Sequence, residues 1–116
     1  MKRDIQERAF RFACVIVALH RELVQLDRTS RVLGDQLLRS GTSIGANLEE
    51  ACAGQSRPDF ISKCSIALKE SRETLYWLKL MDTTELMPHN RLQTIAVEAN
   101  ELISILTAIA RKARGE

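Results

Sequence analysis

Apolar residues recur every three or four positions along most of the chain, which is the spacing of one face of an α-helix. The clearest series starts at Leu92 and Ile95 and continues to Ala113. Only two Pro and five Gly interrupt 116 residues, and no alternation typical of strands competes with the helical pattern. The pattern predicts helices over residues of about 4–26, 30–53, 58–81 and 89–113.

The connections between these helices are short and polar. Thr29 or Ser30 is placed to cap the second helix, and Ser56 to cap the third. Gly54 just after one helix and Pro58 just inside the next fit the preferences of helix ends. Because short links join antiparallel neighbours, the chain is predicted to be all-α: an up-down-up-down four-helix bundle forming one domain over residues 1–116.

The sequence RSGTSIGANLEE, rich in small residues, lies inside the second predicted helix. A phosphate-binding Walker loop requires four residues between its glycines and a Lys after the second. Here three residues separate Gly41 from Gly45, and Ala46 follows. We therefore interpret the segment as a helix whose small residues allow a neighbouring helix to approach closely.

Polar residues on the same segment need partners, because an unpaired amide on an apolar face is costly. Ser71 lies in the middle of the third apolar stripe, at a distance from the 54–58 turn similar to that of Ser43. The sequence predicts a structural polar layer of Ser43, Asn47 and Ser71.

Enzymatic and metal sites are not indicated. A di-iron bundle needs Glu three residues before His, but Val17 and Leu86 precede His20 and His89 at that spacing. The Cys residues have no C-x-x-C spacing and suit a reducing cytoplasm. The longest uncharged apolar run has eight residues, whereas a membrane span needs about twenty. We predict no catalytic residues, metal, cofactor or membrane contact, and a cytoplasmic location.

The net charge of +2 is small, but cations gather near both termini. In an up-down-up-down bundle the termini share one end, so these cations form one surface suited to phosphate. The aromatic fraction, 4%, argues against base stacking and favours backbone contact. The alternative is a protein-interaction scaffold whose charges only maintain solubility. The predicted nucleic-acid-binding residues are Lys2, Arg3, Arg8, Arg11, Arg111, Lys112 and Arg114.

A subunit interface is the second predicted surface. Tyr76 and Trp77 are adjacent and cannot share one helix face, which turns Trp77 outward or towards a neighbouring subunit. Glu50 and Glu73 belong to motif-like blocks and could pair with Arg of a neighbour. We predict an oligomer interface that includes Trp77, Glu50 and Glu73.

Three blocks carry a resemblance to a known family: S-I-x-x-N-L-x-E from Ser43, S-x-x-D-F-x-x-K from Ser56, and IALKESRETLYWL from Ile66. In this order they resemble the bacterial four helix bundle protein family, which includes proteins encoded in intervening sequences of large-subunit ribosomal RNA genes. The match covers about residues 10–110. One departure is Glu49-Glu50-Ala51, where the family often has Ala-Glu-Gly.

This resemblance implies an antiparallel four-helix bundle and a homo-oligomer, with a pentameric ring favoured. It is the fold of related accessory variability proteins of diversity-generating retroelements, which bind nucleic acid and a reverse transcriptase through a basic surface. RNA or DNA and a protein partner such as a reverse transcriptase are therefore expected partners. For most of the family no molecular function is assigned.

Overall fold

The computed structural model describes residues 3–54 and 56–116 of the chain. Within this part the chain forms four helices and no strand, which confirms the predicted all-α fold. Consecutive helices pack along one another, while α1 and α4 touch over a shorter stretch and close the bundle. The helices are α1 (Arg3–Leu23), α2 (Arg28–Ala53), α3 (Arg57–Thr83) and α4 (His89–Ala113).

Helix ends follow local capping chemistry. Asp27 caps α2 by accepting a hydrogen bond from the backbone N–H of Ser30 at 2.8 Å, so the prediction of Thr29 or Ser30 as the cap was wrong. Ser56 caps α3, as predicted, by accepting from the N–H of Asp59 at 3.2 Å. The first helix ends three residues earlier than predicted, at Leu23.

The core runs along the centre of the bundle and receives apolar side chains from every helix. Ile16, Leu48, Leu78 and Leu102, one from each helix, have no exposed surface. Burial of a side chain of this size stabilises the fold by roughly 1.5–3 kcal/mol. The stripes predicted from the sequence are therefore the faces that meet in the core.

The small-residue segment is continuous helix within α2, as predicted. A Cβ placed on Gly41 would lie 2.8 Å from Cγ1 and 2.9 Å from Cγ2 of Ile16 on α1, which is closer than carbon atoms pack. A Cβ on Gly45 would meet Ala9 at no less than 3.6 Å, an ordinary contact. Gly41 is thus the point at which α1 and α2 approach most tightly along this segment.

The predicted polar layer is not the one that forms. Ser43 and Ser71 each donate to a carbonyl oxygen of their own helix, and Asn47 donates to the carbonyl of Ser43 at 2.8 Å. Hydroxyl groups in helices readily bond the carbonyl one turn earlier, so these residues need no partner on another helix. Instead Ser40 and Thr74, both buried, join α2 to α3, with their hydroxyl oxygens 2.9 Å apart.

α4 is long and apolar enough to cross a membrane when judged by length and composition alone. The core helix of a bundle satisfies the same criterion. In this structure Leu92, Leu102 and Leu106 of α4 are fully or almost fully buried against the other helices. The core therefore accounts for one side of α4, whereas Val97 on another side is 48% exposed.

Candidate nucleic-acid interface

The predicted basic end brings the start of α1 and the end of α4 together, because the helices alternate in direction. Arg57, at the start of α3, also lies at this end and donates two hydrogen bonds, of 3.0 and 2.7 Å, to the carbonyl oxygen of Ala113. Carbonyl groups at a helix C-terminus lack helical partners and attract cations. Lys2 and the side chain of Arg3 lie outside the described residues.

Arg8 joins α1 to α4 through ion pairs. Its guanidinium makes two hydrogen bonds to the carboxylate of Glu98, at 2.7 and 2.8 Å, and a third to Glu101 at 2.6 Å. The bond to Glu98 holds the pKa of Arg8 above its ordinary value and the pKa of Glu98 below its own. Because two carboxylates offset its charge, Arg8 contributes less to a phosphate-binding surface than predicted.

The other described cations near the termini differ in whether they pair with a carboxylate. Arg114 pairs with Glu116 at 2.8 Å, while Arg111 approaches the same carboxylate only to 3.9 Å. Arg11 and Lys112 are exposed, and neither makes an ion pair with any described residue. Arg111 and Lys112 are therefore the most available charges at the end of α4, whereas Arg11 lies beside Thr94 and Glu98, about 20 Å from Arg111 along α4.

A second basic surface runs along the outside of α3. Lys69, Arg72, Tyr76 and Lys79 follow each other at spacings of three, four and three residues, so they share one helix face. All four are exposed, and none of the three cations has an ion-pair partner in the described part of the chain. With a rise of 1.5 Å per residue, the stripe is about 15 Å long. We call these four residues the α3 stripe.

Two acidic residues in the middle of α3 are bound by another helix. Glu70 and Glu73 both bind the guanidinium of Arg39 on α2, Glu70 at 3.2 Å. Asp82 lies about one turn after Lys79, in the same cavity, and pairs with His89 at 2.8 Å. The α3 stripe is therefore a row of three cations with one carboxylate, that of Asp82, at its end.

An aromatic pair connects the α3 stripe to this ionic cluster. The indole N–H of Trp77 donates to Oε2 of Glu73 at 3.1 Å. The ring of Tyr76 stands edge-on to Trp77, with centroids 5.1 Å apart and planes at 70°. The two rings touch although their positions lie about 100° apart around the helix, because both side chains are large. Trp77 is half-buried against the core, while Tyr76 is 58% exposed.

The predicted oligomer residues now have defined surroundings. Trp77 and Glu73 bind each other within one chain, and Glu50 is exposed on α2. Their participation in a subunit interface stays a prediction.

Side chains able to ligate a metal do not converge in the described part of the chain, where no three His, Cys, Asp or Glu residues form a cluster. Each His is instead within hydrogen-bond distance of one Asp: His20 of Asp35, and His89 of Asp82. Burial raises the pKa of the Cys64 thiol, which favours its neutral and unreactive form.

Comparison with known proteins agrees with this architecture. A family model described as 23S rRNA-intervening sequence protein matches residues 1–108. The chain belongs to this family. The finding confirms the resemblance carried by the three sequence blocks, and the family's description names no enzymatic activity.

A solved relative shows how closely the family fold is kept. The crystal structure of a protein with unknown function from the S23 ribosomal protein family of Bacteroides thetaiotaomicron is 42% identical in sequence. It covers 92% of this intervening-sequence protein and 98% of its own chain, with a TM-score of 0.86. Among curated protein sequences, none matches this chain.

Proposed function

We propose that this intervening-sequence protein is a non-enzymatic protein that binds the backbone of a nucleic acid. The observation that carries the proposal is the α3 stripe, where Lys69, Arg72 and Lys79 are exposed, make no ion pair with a described residue and are aligned over about 15 Å. Lys and Arg neutralise phosphates and release condensed counterions, which makes such a row a source of affinity. Arg72 adds a planar donor group suited to two phosphate oxygens.

The basic end supplies a second contact surface in this proposal. Arg111 and Lys112 are its available cations, since Arg8 is engaged by Glu98 and Glu101 and Arg11 lies about 20 Å away along α4. The net charge of +2 is modest for a nucleic-acid binder. The clustering of cations on these surfaces therefore supports nucleic-acid binding better than the net charge does.

The salt dependence of binding tests this function. We expect labelled RNA or DNA to bind the wild-type protein at about 50 mM salt, with log Kd rising linearly with log salt. Fluorescence anisotropy across a salt series measures the slope, and a slope of about 2 or more indicates several phosphate contacts. Absence of binding at about 50 mM salt would refute nucleic-acid binding and leave the protein-interaction scaffold as the function.

Self-association is the second part of the proposal, and an exposed apolar face of α1 supports it. Phe10 is 67% exposed, and Cys14 and Ala18 follow it at intervals of four residues along the same face. Large exposed aromatic side chains are characteristic of interface anchors. A homo-oligomer, with a ring of five chains favoured by the family resemblance, would bury this face. A reverse transcriptase remains a proposed partner on the same resemblance.

Sedimentation velocity of the wild-type protein and of Phe10→Glu tests self-association. We expect the wild-type protein to sediment as an oligomer and Phe10→Glu to sediment as a smaller particle, because a buried charge without a partner is costly. Val32→Glu is the matched control, since it places the same charge at another exposed apolar position, at the start of α2. A monomeric wild-type protein would contradict the proposal, and an oligomer unchanged by Phe10→Glu would assign the interface to another face.

A further inference from the structure

We infer that Tyr76 is a stacking platform for an unpaired base, so that the ligand is a single-stranded or looped nucleic acid. This inference rests on the proposed nucleic-acid binding and specifies its partner. It differs from the expectation drawn from the low aromatic content, because one well-placed ring is enough to hold one base. Base–aromatic stacking is a main source of affinity for single strands.

The ring of Tyr76 is both accessible and held in place. It is 58% exposed, yet its edge contact with Trp77 limits its rotation. Trp77 is fixed in turn by its hydrogen bond to Glu73, which is bound by Arg39. A chain of contacts from α2 thus orients a surface aromatic ring before any ligand arrives, which reduces the entropy lost on binding.

The cations of the α3 stripe stand on both sides of this ring. Arg72 lies about one turn before Tyr76, and Lys79 lies about one turn after it, so each is within about 6 Å along the helix axis. A strand that lies along α3 can place phosphates against these cations while a base between them covers the ring. Proteins that bind single strands combine a positive track with aromatic platforms in this way.

A regular duplex does not fit this arrangement equally well. Its bases are stacked within the helix, and only its phosphates and groove edges are available to a flat helical surface. A duplex can engage Lys69, Arg72 and Lys79 but leaves Tyr76 without a base. The ring therefore provides the difference in affinity between the two ligands.

The experiment compares an RNA of about 12 nucleotides, single-stranded, with a blunt duplex of the same length. We expect the wild-type protein to bind the single strand more tightly. Tyr76→Leu keeps apolar bulk but removes the π-face, and it should weaken single-strand binding about tenfold while duplex binding stays unchanged. Tyr76→Phe keeps the π-face and should bind as the wild type does.

A base analogue gives a direct readout of stacking. 2-Aminopurine in the single strand loses fluorescence when it stacks, so wild type and Tyr76→Phe should quench it further on binding and Tyr76→Leu should not. Circular dichroism checks that the variants fold, which is expected because Tyr76 is exposed.

One result would overturn the inference alone, and two others would overturn the proposed function as well. If Tyr76→Leu binds the single strand as tightly as wild type, nucleic-acid binding stands but the stacking platform does not. If polyglutamate binds as tightly as RNA at equal salt, the α3 stripe recognises an acidic protein surface instead. Loss of all RNA binding by the wild type at low salt would refute the proposed function itself.

Discussion

Replacement of Lys69, Arg72 and Lys79 by Gln should weaken RNA binding by about two to three orders of magnitude at about 50 mM salt. For a single strand, log Kd changes by roughly 0.7 per tenfold change in salt for each phosphate contact. The estimate applies this slope to three contacts between about 50 mM salt and about 1 M salt, where such contacts contribute little. The slope itself should fall by about 2. Salt-dependent anisotropy measures both quantities. The variant should fold normally, because none of the three side chains makes an ion pair with a described residue.

The matched control removes three exposed charges that lie outside the α3 stripe. Arg11, Arg111 and Lys112 replaced by Gln give a protein of the same net charge as the α3 variant. If overall charge alone governed binding, both variants would lose affinity equally. We expect the control variant to lose less RNA affinity than the α3 variant. A larger loss in the control would mean that the cations near the chain termini form the main binding surface and that the α3 stripe is secondary.

The helices could be predicted from the sequence because each stripe of apolar residues repeats with one period. The helix ends were less well predicted, since one hydrogen bond decides them: Asp27 starts α2 earlier than Thr29 or Ser30 would. The prediction of the polar layer was wrong for a related reason. Ser40 and Ser43 differ by less than one turn, and only the packing of α2 on α3 places Ser40 against Thr74.

The candidate site was harder to predict than the fold, because it depends on which charges neutralise each other across helices. Arg8 and Glu98 are far apart in sequence, and nothing in their local surroundings indicates that they pair. The α3 stripe was not predicted, because the apolar period of this helix indicates only that these cations lie outside the core. The spacing of Lys69, Arg72 and Lys79 was visible, but the removal of Glu70 and Glu73 from that face depends on Arg39 of another helix.

The two glycines of α2 should respond oppositely to the same substitution. Gly41→Ala adds a methyl group that collides with Ile16, and overpacking of this kind costs about 1–3 kcal/mol. Gly45→Ala adds the same group in ordinary contact with Ala9 and gains about 1 kcal/mol of helix propensity. Because both variants gain that propensity, the difference between them isolates the packing cost, about 1–3 kcal/mol in favour of Gly45→Ala.

Urea unfolding of the two variants and the wild type measures this difference at equal protein concentration, which matters for an oligomer. Ile16→Ala provides the decisive background, because it removes the two atoms that would lie within 3 Å of the new methyl group and leaves only Cβ of residue 16, at 3.3 Å. In the Ile16→Ala background, Gly41→Ala should become stabilising, because its methyl group fills space that the shortened side chain at position 16 leaves empty. Equal stability of Gly41→Ala and Gly45→Ala in the wild-type background would mean that α1 and α2 can separate at little cost. The small residues of this segment would then have no role in close helix packing.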